Sequence, residues 1–354
     1  MLDTNSQLSR FSAEQYCVIL CLANDRAAAQ ELLTHQFDYE AMATFMLMHE
    51  VSGEISAFAK SHDLHLPEEL SVALSERQDR VAARCDEILD ATISVSDVLK
   101  RRNHSFFCAK GAVWDIILRD ERGTRSIKDI DFYVRKDDLS SAVQAIEDAF
   151  DCVKFESIER AFKENNAASV WISDFDVKVE VHWSLVSRTQ SENFDLDIAF
   201  SNIVEIETPR GSIASLNPSQ VINFCAVELG KDSWDSLKKL VDFATAIERA
   251  EDEDLEDAVR AAKSAGGLRI LRISVIVAHE LGLLPQLPAT KEHWDKDYVA
   301  ILLANACLNR LAVGRAPLWT LRGMREALIT PLKHDNLSSS LHQFWQGLVR
   351  RLPM

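Results

Sequence analysis

The chain has 354 residues, of which 47% are hydrophobic and 27% are charged, and its formal net charge is -16. This composition predicts a globular protein with room for two or three buried cores, and it excludes a low-complexity or repeat protein. The negative charge argues against broad electrostatic binding of nucleic acid. No run reaches the roughly 18 to 20 apolar residues of a membrane helix, and the first ten residues are too polar for a signal peptide, so we expect a cytoplasmic protein outside the membrane.

The seven cysteines also indicate a cytoplasmic protein. Most of them sit inside apolar runs, and their spacing contains neither CxxC pairs nor Cys/His clusters. The pattern therefore favours buried, reduced thiols over disulfides or a zinc site. Reduced thiols are typical of cytosolic proteins.

The first hundred residues have a helical pattern. A helix start at Ser12 precedes an apolar segment from Cys17 to Leu33, and a second helix is predicted from Asp38 through Phe58. Pro67, at a first-turn position, opens a long helix from Glu68 to about Arg101, whose apolar residues recur every three or four positions. Residues 1–100 are therefore predicted to form an N-terminal helical region.

From Ser105 the pattern changes to alternating strands and helices. The predicted elements are strand Ser105–Ala109, helix Ala112–Leu118, strand Ile127–Val134, helix Leu139–Phe150, strands Cys152–Ser157 and Ser169–Ser173, and strand Phe175–Trp183. The last two would form a hairpin through Asp174. A further strand pair lies around Ile203–Ile206 and Gly211–Ile213. Residues 101–215 are therefore predicted to form an α/β (α+β) core with a mixed sheet.

The remainder, residues 216–354, is predicted to be a C-terminal helical domain. Its expected helices are Pro218–Leu229, Ser233–Ala250, Asp254–Ala265 and Leu268–Leu283, with more to Leu352. From Ile301 onward the chain carries seven Lys and Arg against two Asp and Glu. Such a basic tail suits either a phosphate-rich partner or an ordinary solvated helix face.

Two aspartates in the strand Ile127–Val134 are candidate metal ligands. Side chains two apart in a strand point to the same face, so Asp129 and Asp131 would lie together. Adjacent carboxylates repel each other, and a divalent cation between them relieves the repulsion. Glu180 lies on the polar face of the alternating strand Phe175–Trp183, and it would complete a three-carboxylate cluster if that strand pairs with the first.

A small-residue turn, Lys110-Gly111-Ala112, precedes this acidic strand and begins a predicted helix. Backbone N–H groups at such a turn bind phosphate oxygens. A glycine turn, an Asp-x-Asp strand and a later acidic strand together indicate metal-assisted phosphoryl chemistry. The segment His279-Glu280 begins like a zinc-protease motif, but Leu283 stands where the second histidine is required, which excludes that class.

The order KGA, Arg125, DIDFYV and VEVHW resembles a little-characterised family of polymerase-β-like nucleotidyltransferases, over roughly Cys85 to Leu284. Ser126 and Lys128 replace the Pro and Gly that are usual before the first aspartate of that family. Asp120-Glu121 replaces a Tyr-Pro pair. The later helix has Ala226-Val227-Glu228 where relatives often carry a histidine.

The resemblance implies Mg²⁺-dependent transfer of a nucleoside monophosphate from a nucleoside triphosphate, such as ATP, to a hydroxyl acceptor. Two Mg²⁺ ions would be held by Asp129, Asp131 and Glu180, which are also the expected catalytic residues. The expected nucleotide contacts come from the turn, from one arginine and from the histidine after Glu180: Lys110, Gly111, Ala112, Arg125 and His182.

Several alternatives stay open at this point. The acceptor could be a small molecule, a sugar, a protein hydroxyl or an RNA end, because a fold does not decide a substrate. The protein could instead be a non-catalytic nucleotide-binding scaffold, in which Lys128 replaces the charge of an ion. A third possibility is a toxin-like enzyme that modifies RNA. For His182, contact with a phosphate, orientation of a carboxylate and a purely structural role are all compatible with the pattern.

Overall fold

The N-terminal region is helical, as predicted. A computed structural model describes residues 10–154, 158–163, 166–186, 194–290, 294–314 and 330–335. The first helices are α1 Ala13–Leu22, α2 Arg26–Leu33, α3 Tyr39–Met48, α4 Ser52–His62 and α5 Glu68–Arg101. Ser12 caps α1 through a reciprocal pair of hydrogen bonds with Gln15, which confirms the helix start read from the sequence.

Two predicted long helices are each divided in two. The segment Cys17–Leu33 breaks where Asp25 accepts a hydrogen bond from Ala28 N–H and caps a new helix. The predicted helix Asp38–Phe58 breaks at Glu50, whose φ of 56° lies in the left-handed region, so the single-helix prediction was wrong. Pro67 is the cap of α5 rather than its first helical residue.

The centre of the protein is a five-stranded mixed sheet. Its strands are β1 Phe106–Ala109, β2 Asp129–Val134, β3 Cys152–Lys154, β4 Ala167–Ile172 and β5 Val177–His182. They lie in the order β1-β2-β5-β4-β3, and only β2 and β5 run parallel to each other. The intervening helices are α6 Gly111–Ile117, α7 Leu139–Ala149 and α8 Ile158–Lys163. This sheet confirms the predicted mixed α/β fold.

The register of the two parallel strands brings the acidic residues together. Asp129 pairs with Lys178, Asp131 with Glu180, and Tyr133 with His182. Val179 and Val181, on the opposite face of β5, are fully buried, as the alternation of the sequence predicts. One face of the β2–β5 pair is therefore apolar core, and the other carries the candidate site.

After the sheet comes helix α9 Leu196–Ser201 and a separate hairpin, β6 Ile203–Thr208 and β7 Gly211–Leu216. The C-terminal helices are α10 Pro218–Lys231, α11 Leu237–Glu248, α12 Asp252–Ser264, α13 Leu268–Glu280 and α14 Tyr298–Val313. The prediction placed the start of α11 at Ser233, which is wrong, because Ser233 and Trp234 have positive φ and Ser236 is the cap. The cap sets which lysines occupy the first turn of α11.

One hydrophobic cluster includes buried residues from the N-terminal helices, the sheet and the C-terminal helices. The division into 1–100, 101–215 and 216–354 stays a prediction. Among the described residues, no helix is both long and apolar enough to cross a membrane. Most of the basic segment predicted after Ile301, including Arg315, Arg322, Arg325, Arg350 and Arg351, lies outside the described residues.

The first turn of α4 packs tightly against the loop that precedes β2. A Cβ atom at Gly53 would overlap the carbonyl oxygen of Thr124. We expect Gly53→Ala to lower the free energy of unfolding by about 1–3 kcal/mol, because backbone must move to admit the methyl group. Urea denaturation measures this loss. The control is Gly230→Ala, where the atoms nearest to an added Cβ belong to the side chain of Ile270 and not to backbone. An equal loss in both variants would contradict the backbone overlap.

Candidate functional site

Three candidate ligands meet on the polar face of β2 and β5. One ligand atom each from Asp131, Glu180 and His182 lie within 4.8 Å of one another. His182 Nε2 is 3.0 Å from Asp131 Oδ1 and 3.2 Å from Glu180 Oε2. Asp129, two residues before Asp131, begins the same strand and is partly exposed. The group of ligand atoms therefore consists of two of the three predicted carboxylates and His182, and Asp129 lies outside it at the start of the strand.

A lysine lies against the same carboxylates. Lys178 Nζ is 2.7 Å from Glu180 Oε1 and 3.7 Å from Asp129 Oδ2. Lys128, expected to bring a positive charge to the site, pairs instead with Glu50 and is largely exposed. The cation next to the cluster is Lys178.

His182 is held in a fixed orientation. Its ring is buried and stacks on Tyr133, with centroids 4.8 Å apart and planes 13° apart. Asn166 Nδ2 donates to the carbonyl oxygen of Ser184 at 2.9 Å and faces His182 Nδ1 at 3.3 Å. Because the amide N–H groups point at Nδ1, the ring proton is assigned to Nε2, toward Asp131. His182 therefore orients Asp131.

The neighbouring carboxylates have opposite pKa shifts. Burial, together with the charges of Asp131 and Glu180, raises the pKa of Asp129. Burial alone would raise the pKa of Asp131 as well, but Lys110 and His182 outweigh it and lower that pKa below its usual value. The hydrogen bond from His182 is the main cause that lowers the pKa of Glu180, and Lys178 adds to it. The hydrogen bonds from His182 and the charges of the nearby lysines therefore keep Asp131 and Glu180 ionised.

The turn that precedes α6 lies directly beside these carboxylates. Ala109, the last residue of β1, is opposite Asp131 in the sheet register. Lys110 follows with φ 64° and ψ -149°, a region that residues other than glycine rarely adopt and that is concentrated at functional sites. Gly111 has φ 51°, and a Cβ there would be 3.3 Å from the carbonyl oxygen of Asp129. Ala112, the next residue, is buried.

Arg125 contacts the backbone of the Lys110-Gly111 turn. Its Nη1 donates to the carbonyl oxygen of Gly111 at 3.3 Å, and its Nε is 3.1 Å from both carboxylate oxygens of Asp242. Asp242 also binds Arg119 at 2.7 Å, and Arg119 pairs with Glu54 at 3.1 Å. All four charged side chains are buried. In this arrangement Arg125 positions the turn, and its contact with a phosphate stays a prediction.

The donor set suits a hard cation. Mg²⁺ prefers oxygen ligands, and Asp129, Asp131 and Glu180 supply carboxylate oxygens on adjacent strands. The buried side chain of His182 is hydrogen-bonded to Asp131. The carboxylates already contact Lys178 and His182, so a metal ion would compete with the ammonium group of Lys178. The site residues in these roles stay predictions.

The sequence analysis missed some of the residues that build this region. The contact of Lys178 with Asp129 was not foreseen, because it depends on which strand lies beside β5. Glu228 attracted notice only for the absence of a histidine, although an acidic residue in the apolar run FCAVEL of α10 was a signal. It is buried, and Lys110 Nζ lies 2.9 Å from its Oε2. Asn166 carried no recognisable signal.

Comparison with known proteins gives one match. A family model described as an uncharacterised nucleotidyltransferase matches residues 35–283, which is well over half of the chain. The resemblance seen in the sequence began at about Cys85, whereas the family match begins at residue 35. The match therefore includes α3 and α4 as well as the sheet and the helices up to α13. No curated protein and no solved structure gives a significant match.

The position of Lys178 predicts an effect on metal binding. We expect Lys178→Met to bind Mg²⁺ or Mn²⁺ about two to five times more tightly, because a partly exposed ion pair worth about 0.2–1 kcal/mol no longer competes with the metal. Isothermal titration calorimetry measures the affinity. The control is Lys154→Met, which removes a strand lysine paired with Glu147. Weaker binding in Lys178→Met than in the control would contradict the competition.

The buried cluster around Asp242 predicts a large effect on stability. Asp242→Ala leaves Arg119 with Glu54 alone and leaves Arg125 without its carboxylate partner. We expect the free energy of unfolding to fall by roughly 3–5 kcal/mol, because a buried charge loses its partner. In Asp257→Ala, which breaks an exposed pair with Arg260, the loss should stay below about 1 kcal/mol. Similar losses in the two variants, measured by urea denaturation, would refute this assignment.

Proposed function

This chain belongs to the uncharacterised nucleotidyltransferase family, and from that premise we propose that it is a Mg²⁺-dependent enzyme. In this proposal it transfers a nucleoside monophosphate from a nucleoside triphosphate to a hydroxyl group of an acceptor. The observation that carries the proposal is the group of ligand atoms from Asp131, Glu180 and His182 within 4.8 Å of one another. Asp129 lies on the same strand, and the strained Lys110-Gly111 turn lies beside it.

Asp129, Asp131 and Glu180 would hold the metal ions. When bound, Mg²⁺ neutralises charge on the attacking and leaving oxygens of the transfer. The separation of pKa values among the carboxylates supports this role, because Asp131 and Glu180 are kept ionised and ready for a cation. His182 would keep the carboxylate of Asp131 in one orientation. Glu180, the most accessible partner of His182, would face the acceptor, where it either holds the nearer metal or accepts the proton of the attacking hydroxyl.

The Lys110-Gly111-Ala112 turn would bind the phosphates. The backbone N–H groups at the start of α6 supply neutral donors, and Lys110 supplies a positive charge. Arg125 supports this role through its hydrogen bond to the carbonyl oxygen of Gly111. The nucleotide base and the acceptor are left open by these contacts. A small molecule, a protein hydroxyl and an RNA end all suit a carboxylate site, and ATP is one of four candidate donors.

We also propose a cytoplasmic location. Six cysteines carry free thiols, and all of them except Cys152 are buried within the hydrophobic core: Cys17, Cys21, Cys85, Cys108, Cys152 and Cys225. Free thiols persist in a reducing compartment.

The proposal is tested by transfer of label. The purified protein is incubated in cell extract with Mg²⁺ and each of the four α-labelled nucleoside triphosphates in turn. We expect label on one species with the native chain and at least a roughly 100-fold loss in Asp129→Asn and Asp131→Asn, because several kcal/mol of charge stabilisation are removed. The labelled species identifies the acceptor, and labelled small RNA would favour the RNA-modifying alternative.

Asp176→Asn is the matched control. Asp176 lies just before β5 in the left-handed region, with φ 50°, a conformation that asparagine tolerates. This variant should transfer label at the native rate. If the native protein binds a nucleotide but transfers no label to any species, the enzyme proposal fails and the non-catalytic scaffold replaces it.

A further inference from the structure

Three lysines surround one buried glutamate beside the candidate metal site. Glu228, on α10, is only 3% exposed. Its Oε2 is 2.9 Å from Lys110 Nζ and 3.1 Å from Lys239 Nζ, and its Oε1 is 3.1 Å from Lys231 Nζ. Lys239 also pairs with Asp232. These residues come from the turn before α6, the end of α10 and the first turn of α11.

The cluster adjoins the carboxylates through Lys110. The residue before Lys110 is paired with Asp131 in the sheet, and the residue after it packs on the backbone of Asp129. From this position the ammonium group of Lys110 reaches Glu228, and Glu228 reaches Lys231 and Lys239. Lys110 therefore connects the backbone beside the candidate metal ligands to the two lysines of the C-terminal helices through Glu228.

Neutralising Glu228 requires only one of these cations. Taking several ammonium groups out of water to surround one carboxylate has a desolvation cost that a single ion pair does not. Lys231 and Lys239 keep 29% of their side-chain surface exposed, and Lys110 keeps 18%. Each ammonium group has three N–H donors, and the ion-pair contacts of Lys110 and Lys231 use one each. The cluster therefore presents positive charge and unused donors to solvent.

A triphosphate matches this arrangement. Its α-phosphate must lie at the metal ligands for nucleotidyl transfer, so its β- and γ-phosphates extend away from them. The Lys110-Gly111 turn leads from the carboxylates to Lys231 and Lys239. Charge-assisted hydrogen bonds from ammonium groups are among the stronger contacts that phosphate oxygens accept.

We propose that Lys231 and Lys239 bind the β- and γ-phosphates of the nucleoside triphosphate, and that Glu228 is a positioning residue that holds them beside Lys110. This inference deepens the proposed function and rests on it. It gives the C-terminal helices a part in substrate binding.

The test measures binding of inorganic tripolyphosphate with and without Mg²⁺ by isothermal titration calorimetry. This probe carries the phosphates without a base, so the identity of the nucleotide does not matter. We expect Lys231→Met and Lys239→Met each to bind tripolyphosphate about tenfold more weakly than the native chain. The control is Lys263→Met, which removes an exposed lysine at the end of α12 and should bind like the native chain.

Two further variants separate binding from stability. Lys231→Arg keeps the positive charge and should retain most of the affinity. Glu228→Gln releases the lysines, so tripolyphosphate binding should weaken even where urea denaturation shows that the variant is folded. If the native chain does not bind tripolyphosphate, or if Lys231→Met and Lys239→Met bind it as tightly as Lys263→Met, the inference is overturned.

The results of these experiments distinguish a failure of the phosphate site from a failure of the proposed function. If tripolyphosphate binding depends on the two lysines but no label is transferred, the phosphate site is supported and the enzyme proposal is wrong. Transfer of label with an unchanged KM for the nucleoside triphosphate in Lys231→Met and Lys239→Met would sustain the enzyme and remove the phosphate site.

Discussion

The parallel pairing of β2 with β5 places like charges side by side, and the surrounding structure compensates for their repulsion. Asp131 lies opposite Glu180 in this register, with Asp129 two residues away. Three carboxylates on one sheet face are unfavourable unless cations lie between them or protons neutralise them. In this protein Lys178 and Lys110 supply positive charge and His182 supplies a hydrogen-bond donor, and together they keep the site compact without a proton on Asp131.

Buried ion pairs also connect the site to helices of the N-terminal and C-terminal regions. Asp242 of α11 binds Arg125, and Arg125 holds the carbonyl oxygen of Gly111. Arg119 joins the same carboxylate to Glu54 of α4. Buried pairs of this kind contribute less to stability than their number suggests, because each charge has been removed from water. Their geometric effect is specific: a strained turn is held by charges from the N-terminal and C-terminal regions together.

This arrangement explains why the family match is longer than the sheet. The matched stretch, residues 35–283, includes α4, which carries Glu54, and α10 and α11, which carry Glu228 and Asp242. The sheet alone would supply the metal ligands, but the conformation of Lys110 depends on Glu228 and the position of Gly111 depends on Arg125. The helical regions therefore contact the candidate site through buried ion pairs.

Local sequence patterns predicted most of the helices and strands. Alternation in DIDFYV and FDVKVEVHW predicted two strands and the face of each that carries its acids, because side chains in a strand alternate strictly. The spacing of apolar residues predicted the long helix α5 with its observed ends, Glu68 and Arg101. The helix breaks at Asn24, which has φ 60°, and at Glu50 were missed, because a left-handed residue that is not glycine leaves little trace in the spacing of apolar residues.

What the sequence determined by itself was therefore most of the elements, the polar face of each central strand and the candidate carboxylates, since these follow from periodicity over a few residues. The short helices α8 and α9 and the two helix breaks were not predicted. Tertiary structure decided the partners. Lys178 turned out to neutralise Glu180 and Asp129, Lys128 went to Glu50, and Arg125 went to Asp242. Each of these pairs except Lys178–Glu180 joins residues distant in the chain. A lysine or arginine can reach any acid within a few ångströms, so its partner is fixed only when packing and register have brought the strands and helices together.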